Sequence, residues 1–276
     1  MAVLSQPVAS SDAVVLRTWP TGETSVIASM VTGEHGYVRM IAKGARSERS
    51  TLRPLVQPGR LVNVEFGLRP DRELQYLKGG QVLLDTQMGD GGLERTAYVL
   101  AVVELADRCR PSGDRDRDVF VLCRSFLQML SSRSPGDAGL FYAFEFNLLD
   151  LHGIGPEIGS CAHCGSTGEE DPARGARFCP DVGGLVCRSC GAEGIGGFGR
   201  PLTRGAHEIL LGIDRGDGEA IAVVASDSAL RREIGIHLHG FLQFHVPTYR
   251  LPAALELLRR PETAKQRASA RKDDQS

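Results

Sequence analysis

The sequence is notable first for what it does not contain. No run of eighteen or more apolar residues occurs in its 276 positions, so nothing reads as a transmembrane helix. The opening stretch, MAVLSQPVASSD, lacks the charged-then-apolar pattern of a targeting segment. Net charge is small, −2, so whole-chain charge favours no acidic partner and no membrane surface. Catalytic frames are also missing. There is no H-E-x-x-H, no P-loop or G-x-G-x-x-G frame surrounds Gly44, and no Ser/His/Asp or paired-carboxylate arrangement stands out. What remains is an ordinary globular composition, 42% hydrophobic and 24% charged, long enough for about two domains.

Cysteine is the informative residue. There are seven, an odd number that points to a reducing, cytoplasmic setting. Four of them form two pairs, Cys161-Ala-His-Cys164-Gly and Cys187-Arg-Ser-Cys190-Gly, separated by twenty-two residues. Each Cys-x-x-Cys turn brings two sulfurs within about 2.3 Å of one ion, and two turns complete a tetrahedron. Cys161, Cys164, Cys187 and Cys190 therefore predict one Zn²⁺, structural because four protein ligands leave no open position. Gly165 and Gly191 follow the pairs, where positive φ lets the chain curl back toward the thiolates. Paired disulfides or a redox Cys-x-x-Cys are the alternatives. Cys179 and His163 are stand-in ligands to consider, Cys179 reading better as a spare thiol beside the site. A zinc deaminase is disfavoured, since neither pair follows proline and His163 has Gly165 two positions on.

Along the chain, five runs read as strands: Ala13–Trp19, Ser25–Thr32, Tyr37–Ala42, Arg60–Gly67 and Leu74–Leu84. The fourth alternates cleanly, with Val62, Val64 and Phe66 on one face. Gly33–Gly36 reads as a tight hairpin, and one long connection separates the third and fourth strands. This suits an OB-type barrel over residues 1–85, with an SH3-like barrel of the same size as the alternative. Helical spacing follows in Leu93–Arg108, Val119–Leu130 and Leu140–Leu151, then Ala206–Ile213 and Ala229–Phe244. The expected organisation is α+β: an OB-fold barrel, a helical domain in two parts (86–158 and 199–261), the zinc module between them (159–198), and a disordered tail (262–276). His237, His239 and His245 invite a second metal site, but 237 and 239 fall on different helix faces.

Residues 1–80 carry ten Lys/Arg against seven Asp/Glu. Lys43-Gly44-Ala45-Arg46, with Arg49 and Arg53 and with Arg17 and Arg39 on neighbouring strands, are candidate phosphate contacts. Trp19, Tyr37 and Tyr76 are candidate faces for stacked bases. Ordinary solvated surface is the competing reading of the same charges.

With these motifs assembled, the sequence resembles a known family. Asp12–Leu16, Thr32-Gly33-Glu34-His35-Gly36, Ala42-Lys43-Gly44-Ala45-Arg46 and Leu55–Gly59 are similar to the N-terminal barrel of the bacterial DNA repair protein RecO. The cysteine quartet with Gly183-Gly184 resembles the zinc module of the zinc-binding type. Arg231–Phe244 and Leu255–Leu258 resemble the family's C-terminal helices. The resemblance implies a non-enzymatic recombination mediator that binds single- and double-stranded DNA and anneals complementary strands. It also implies that RecR, alone or with RecF, assists the loading of RecA against single-stranded DNA-binding protein. It maps family DNA contacts onto Arg17, Arg39, Lys43, Arg46, Arg49 and Arg53 as a group. Two departures stand out: Trp19–Glu23 where the family commonly has Tyr-Gly-Glu, and His245–Arg250 (HVPTYR) where many relatives carry Lys, Arg and Ser. The rival reading is a zinc-stabilised scaffold whose barrel binds protein rather than DNA.

Overall fold

A computed structural model describes residues 7–86, 92–111, 114–132, 137–167 and 175–258. The predicted tail at 262–276 lies outside the described residues. Two compact units are present, one running to Ser132 and resuming at Leu251, the other ending at Arg250.

The first unit is built on five strands, β1 (Val8–Thr21), β2 (Ser25–Thr32), β3 (Gly36–Ala42), β4 (Arg60–Gly67) and β5 (Leu74–Asp85). They close in the order β1-β2-β3-β5-β4. All pairings are antiparallel except β3 with β5, which run parallel across the closure. A two-residue period sends Val15, Met30, Met40, Val64 and Phe66 into the barrel. This ring is OB-like, so the SH3-like alternative falls away. The long β3–β4 connection carries a single 3-10 turn, Arg53–Val56, whose Leu55 and Val56 plug the barrel.

One irregularity in β1 decides what faces outward. Val15 pairs with Met30 but Arg17 pairs with Ser29, so Leu16 is an extra residue, a bulge. Strict alternation from Val15 would turn Arg17 and Trp19 into the core. The bulge inverts the phase and puts both on the outer surface.

Helices α1 (Gly92–Arg108) and α2 (Asp116–Ser132) pack on the outside of the barrel against β1 and β2. Their packing groups them with the barrel, although residue 85 reads from sequence as a domain end. Tyr37 donates its O–H to the Ala106 carbonyl at 2.7 Å, and Ser29 donates to Asp107 at 2.8 Å, fixing the end of α1 on the sheet.

The second unit holds α3 (Asp137–Leu151), then two short strands, β6 (Arg177–Cys179) and β7 (Gly184–Val186), and the short helix α4 (Arg188–Ala192). After β8 (Arg200–Pro201) come α5 (Arg204–Asp214), α6 (Gly218–Ser226) and α7 (Ser228–His245). Thr203 caps α5, and Asp227 ends α6 while accepting from the Ala229 and Leu230 N–H groups of α7. Such a cap is worth about 1 kcal/mol. Gly139 makes the α3–α6 contact possible, because a Cβ there would overlap the Ile221 carbonyl oxygen. Among the described residues, no helix is long and apolar enough to cross a membrane.

Candidate metal centre and nucleic-acid interface

The cysteine quartet comes together. The sulfurs of Cys161, Cys164, Cys187 and Cys190 all lie within 4.8 Å of one another. A tetrahedron with Zn–S bonds of about 2.3 Å has edges of about 3.8 Å, and Cys164 and Cys187 stand 3.9 Å apart. None of the four is disulfide-bonded, which removes the paired-disulfide alternative.

Local structure positions each ligand. The Gly165 N–H donates to the Cys161 carbonyl at 2.8 Å with Gly165 at φ 72°, the curled turn expected from sequence. Gly191 does otherwise: it lies inside α4, its N–H donating to the Cys187 carbonyl. Cys187 begins that helix and Cys190 sits within it, so one helical turn sets the second pair. The two pairs are clamped by Ala162 N–H donating to the Leu185 carbonyl at 2.7 Å.

The electrostatics favour a cation. Burial raises the Cys161 thiol, but N–H donation from Cys187, Cys164 and His163 outweighs it and brings the group down to about 6. Cys190 moves the other way, pushed up by its hydrogen bond to Cys187, by burial and by the Cys161 charge. Four thiolates at this spacing repel, and a divalent ion relieves the repulsion. The donor set fits zinc: soft, four-coordinate and closed.

Neither stand-in ligand belongs to the cluster. His163 contributes its backbone only. Cys179 is fully buried and packs with Val186 and Ile195 beneath the site. Burial pushes its thiol up to about 11, so it behaves as a neutral apolar filler. The three histidines of α7 are likewise engaged in packing. His237 sits edge-on to Phe178, His239 approaches Glu145 at 3.1 Å, and His245 hydrogen-bonds the Pro180 carbonyl at 2.8 Å. The quartet is the metal-competent cluster among the described residues.

One buried network was not visible in sequence. Glu145, fully buried on α3, accepts from the Tyr249 O–H at 3.0 Å, and that oxygen also meets His239 Nδ1 at 2.6 Å. It anchors the divergent HVPTYR segment to α3. Tyr249 therefore serves packing in a stretch where the sequence departs from many relatives.

On the barrel, Arg17, Arg39, Lys43, Arg46, Arg49 and Arg53 are all exposed. They fall into two groups. Arg17 and Arg39 flank Ser29 in one lateral row across β1, β2 and β3, with Lys43 just beyond the end of β3. Arg46 and Arg53 line a separate recess with Thr18 and Gln57. Arg46 also donates to the Glu23 carbonyl at 3.1 Å, and its N–H to the Thr24 carbonyl, so it pins the β1–β2 turn. Arg49 lies in the connection between these groups.

Of the three candidate aromatics, Trp19 and Tyr76 remain on the outer face, with Arg17 5.9 Å from one ring and Lys43 5.0 Å from the other. Tyr37 does not stay available. Arg110 covers its ring at 3.9 Å, its hydroxyl is held by Ala106, and burial pushes its phenol well above the ordinary range. Arg110 itself, paired with Asp107, lines a pocket with Arg39 and Glu73. Its place depends on the end of α1 docking on β3.

Known proteins agree with both regions. The family described as Recombination protein O N terminal matches residues 7–84, and Recombination protein O C terminal matches residues 91–253. The DNA repair protein RecO of Desulforudis audaxviator is 29% identical over 250 residues, covering 91% of this chain and 96% of the relative. That of Anaeromyxobacter dehalogenans is 30% identical over 233 residues, covering 84% and 89%. That of Frankia casuarinae is 28% identical over 243 residues, covering 87% and 94%. With the OB-like ring, the helical unit and the cysteine cluster all in place, the chain belongs to the RecO family of non-enzymatic DNA repair proteins.

Proposed function

We propose that this chain is a recombination mediator that binds DNA through the outer face of its barrel and anneals complementary single strands. The observation that carries the reading is the placement of Arg17, Arg39 and Lys43 around one sheet surface of an OB-like ring. Annealing breaks no bond. It requires that two polyanions approach, and a cationic surface lowers that repulsion by displacing condensed counterions. Arg46, Arg49 and Arg53 extend the positive surface around the β3–β4 connection, and duplex DNA is held by the same phosphate contacts. Family membership supports RecR, alone or with RecF, as the protein partner, and the exchange of single-stranded DNA-binding protein for RecA as the setting.

The four cysteines hold a structural Zn²⁺ in this reading. Its chemistry is neutralisation of the thiolates. Cys161 and Cys164 present one knuckle, and Cys187 and Cys190 the other.

The test is a titration of labelled oligonucleotide followed by anisotropy at several salt concentrations. Steeply salt-dependent binding, weakened by Arg39→Glu and Lys43→Glu, is the expected result. Salt-independent binding of a protein partner, with oligonucleotides ignored at low salt, would transfer the assignment to the scaffold reading.

A further inference from the structure

We propose that Trp19 and Tyr76 are the two ends of a base-stacking track that selects unpaired DNA; the inference rests on the DNA-binding reading above and adds the feature recognised. Four residues on four adjacent strands fall on one lateral line. Trp19 pairs with Ile27, Ile27 with Ile41, and Ile41 with Tyr76. Ala28, Met40, Ala42 and Leu77, chain neighbours of Ile27, Ile41 and Tyr76, point into the core, so these three side chains point outward, and Trp19 shares the face of its partner Ile27. Ile27 and Ile41 are half-buried and form an apolar floor between the two rings.

Trp19, like the two isoleucines, is half-buried, and Tyr76 is exposed. The next row along the strands, Arg17–Ser29–Arg39, is where α1 ends, with Ser29 buried against Asp107. The aromatic row lies one pleat repeat beyond that contact. Tyr76 is 39% exposed, whereas the ring of Tyr37 is covered by Arg110.

Three adjacent strand spacings put the ring-bearing positions about 14 Å apart. At about 3.4 Å per stacked nucleotide, that distance spans about four bases, the lower end of the site size for an OB fold. Each ring also carries its own cation, Arg17 beside Trp19 and Lys43 beside Tyr76. A stacked base is thus met by a positive charge where its phosphate must lie. A duplex hides its base faces in its own stack and can reach only the cations. The row therefore discriminates between strands that await pairing and strands already paired.

Trp19 is the sole tryptophan of the chain, so its emission reports directly on the track. The full chain is titrated at low salt with an oligothymidylate, a duplex of equal length and an abasic strand of equal length, while anisotropy follows binding. The expected result is quenching by the oligothymidylate alone. Tyr76→Ala and Trp19→Ala are each expected to lower single-strand affinity about 10-fold or more, with duplex affinity within about twofold of wild type. Salt-dependent binding without quenching, and with wild-type affinity in both variants, would overturn the track and leave the DNA-binding reading intact. Equal losses on abasic and normal strands would also overturn it, by assigning the effect to displaced cations. Absence of binding to any of the three at low salt would overturn the DNA-binding reading itself. Because an unpaired ribo-oligonucleotide offers the same faces, a uridylate arm is included, and tighter binding to it than to the DNA strand would overturn DNA as the ligand. Should Trp19→Ala fail to fold, the exposed Tyr76→Ala carries the same test.

Discussion

The barrel and the cysteine module put their chemistry in opposite places. On the barrel, the cations assigned to binding are exposed and lie outside the core of Val15, Met30, Met40 and Phe66. In the module two of the candidate ligands belong to the core: Cys161 and Cys190 pack with Cys179 and Val186, beside the buried Phe178 and Leu185. A unit this small gains much of its stability from a metal or an equivalent staple. Function and stability are thus separable in the first region and inseparable in the second.

The sharpest way to break this contrast is at the metal. Cys187→Ser, or a strong chelator, is expected to remove the ion and destabilise the second unit by several kcal/mol, on the order of a lost structural site. Metal content and a thermal melt on one sample check it. Loss of metal with an unchanged melt would show the module folds on its apolar contacts alone.

A smaller cost is expected at the Glu145–His239–Tyr249 network. Tyr249→Phe removes a donor from a buried carboxylate and should cost about 1–3 kcal/mol, read by denaturant unfolding. A neutral result would mean that His239 alone satisfies Glu145.

Smaller again is a pH effect at His237. Burial, only partly opposed by Glu233, holds this imidazole below its usual range. A histidine kept neutral in the fold takes up its proton more readily when unfolded, so stability is intact above about pH 6.5 and falls as pH drops below it. The single proton limits the slope to about 1.4 kcal/mol per pH unit. His237→Gln should flatten the stability–pH curve between about pH 6.5 and 5 relative to wild type, and an identical slope would remove His237 as its source.

The least effect on stability is expected from the barrel cations. Arg39→Gln with Lys43→Gln should leave unfolding within about 0.5 kcal/mol of wild type. The same double variant should flatten the log affinity–log salt slope for single strands by about 1.4, close to 0.7 per contact. A destabilised variant would show that these side chains serve the fold, as the cysteines do.

Much of the barrel was legible because its signals are local. Strands β2 and β4 fall at the residues where alternation places them, Ser25–Thr32 and Arg60–Gly67, since a two-residue period with turn residues on either side leaves little room for shift. Helix α6 was not legible. Its sequence, GEAIAVVAS, is short, apolar all round and rich in β-branched residues, so it shows no stripe of 3.6-residue period. It forms because Asp217 caps it and α3 and α5 bury it. The cysteine cluster was legible for a different reason: two knuckles of fixed spacing have one common way to share an ion.

Alternation, helical spacing and ligand spacing are properties of short segments, and they were enough to place five barrel strands, the helical unit and the four clustered cysteines, while strand pairing chose the OB-like ring over an SH3-like one. Which aromatics and cations share a surface is settled instead by long-range packing. The bulge at Leu16 turns Arg17 and Trp19 outward, and the end of α1 covers Tyr37 while leaving Tyr76 in solvent. Those outcomes depend on strand register and on a helix docking tens of residues away, and no local pattern encodes either.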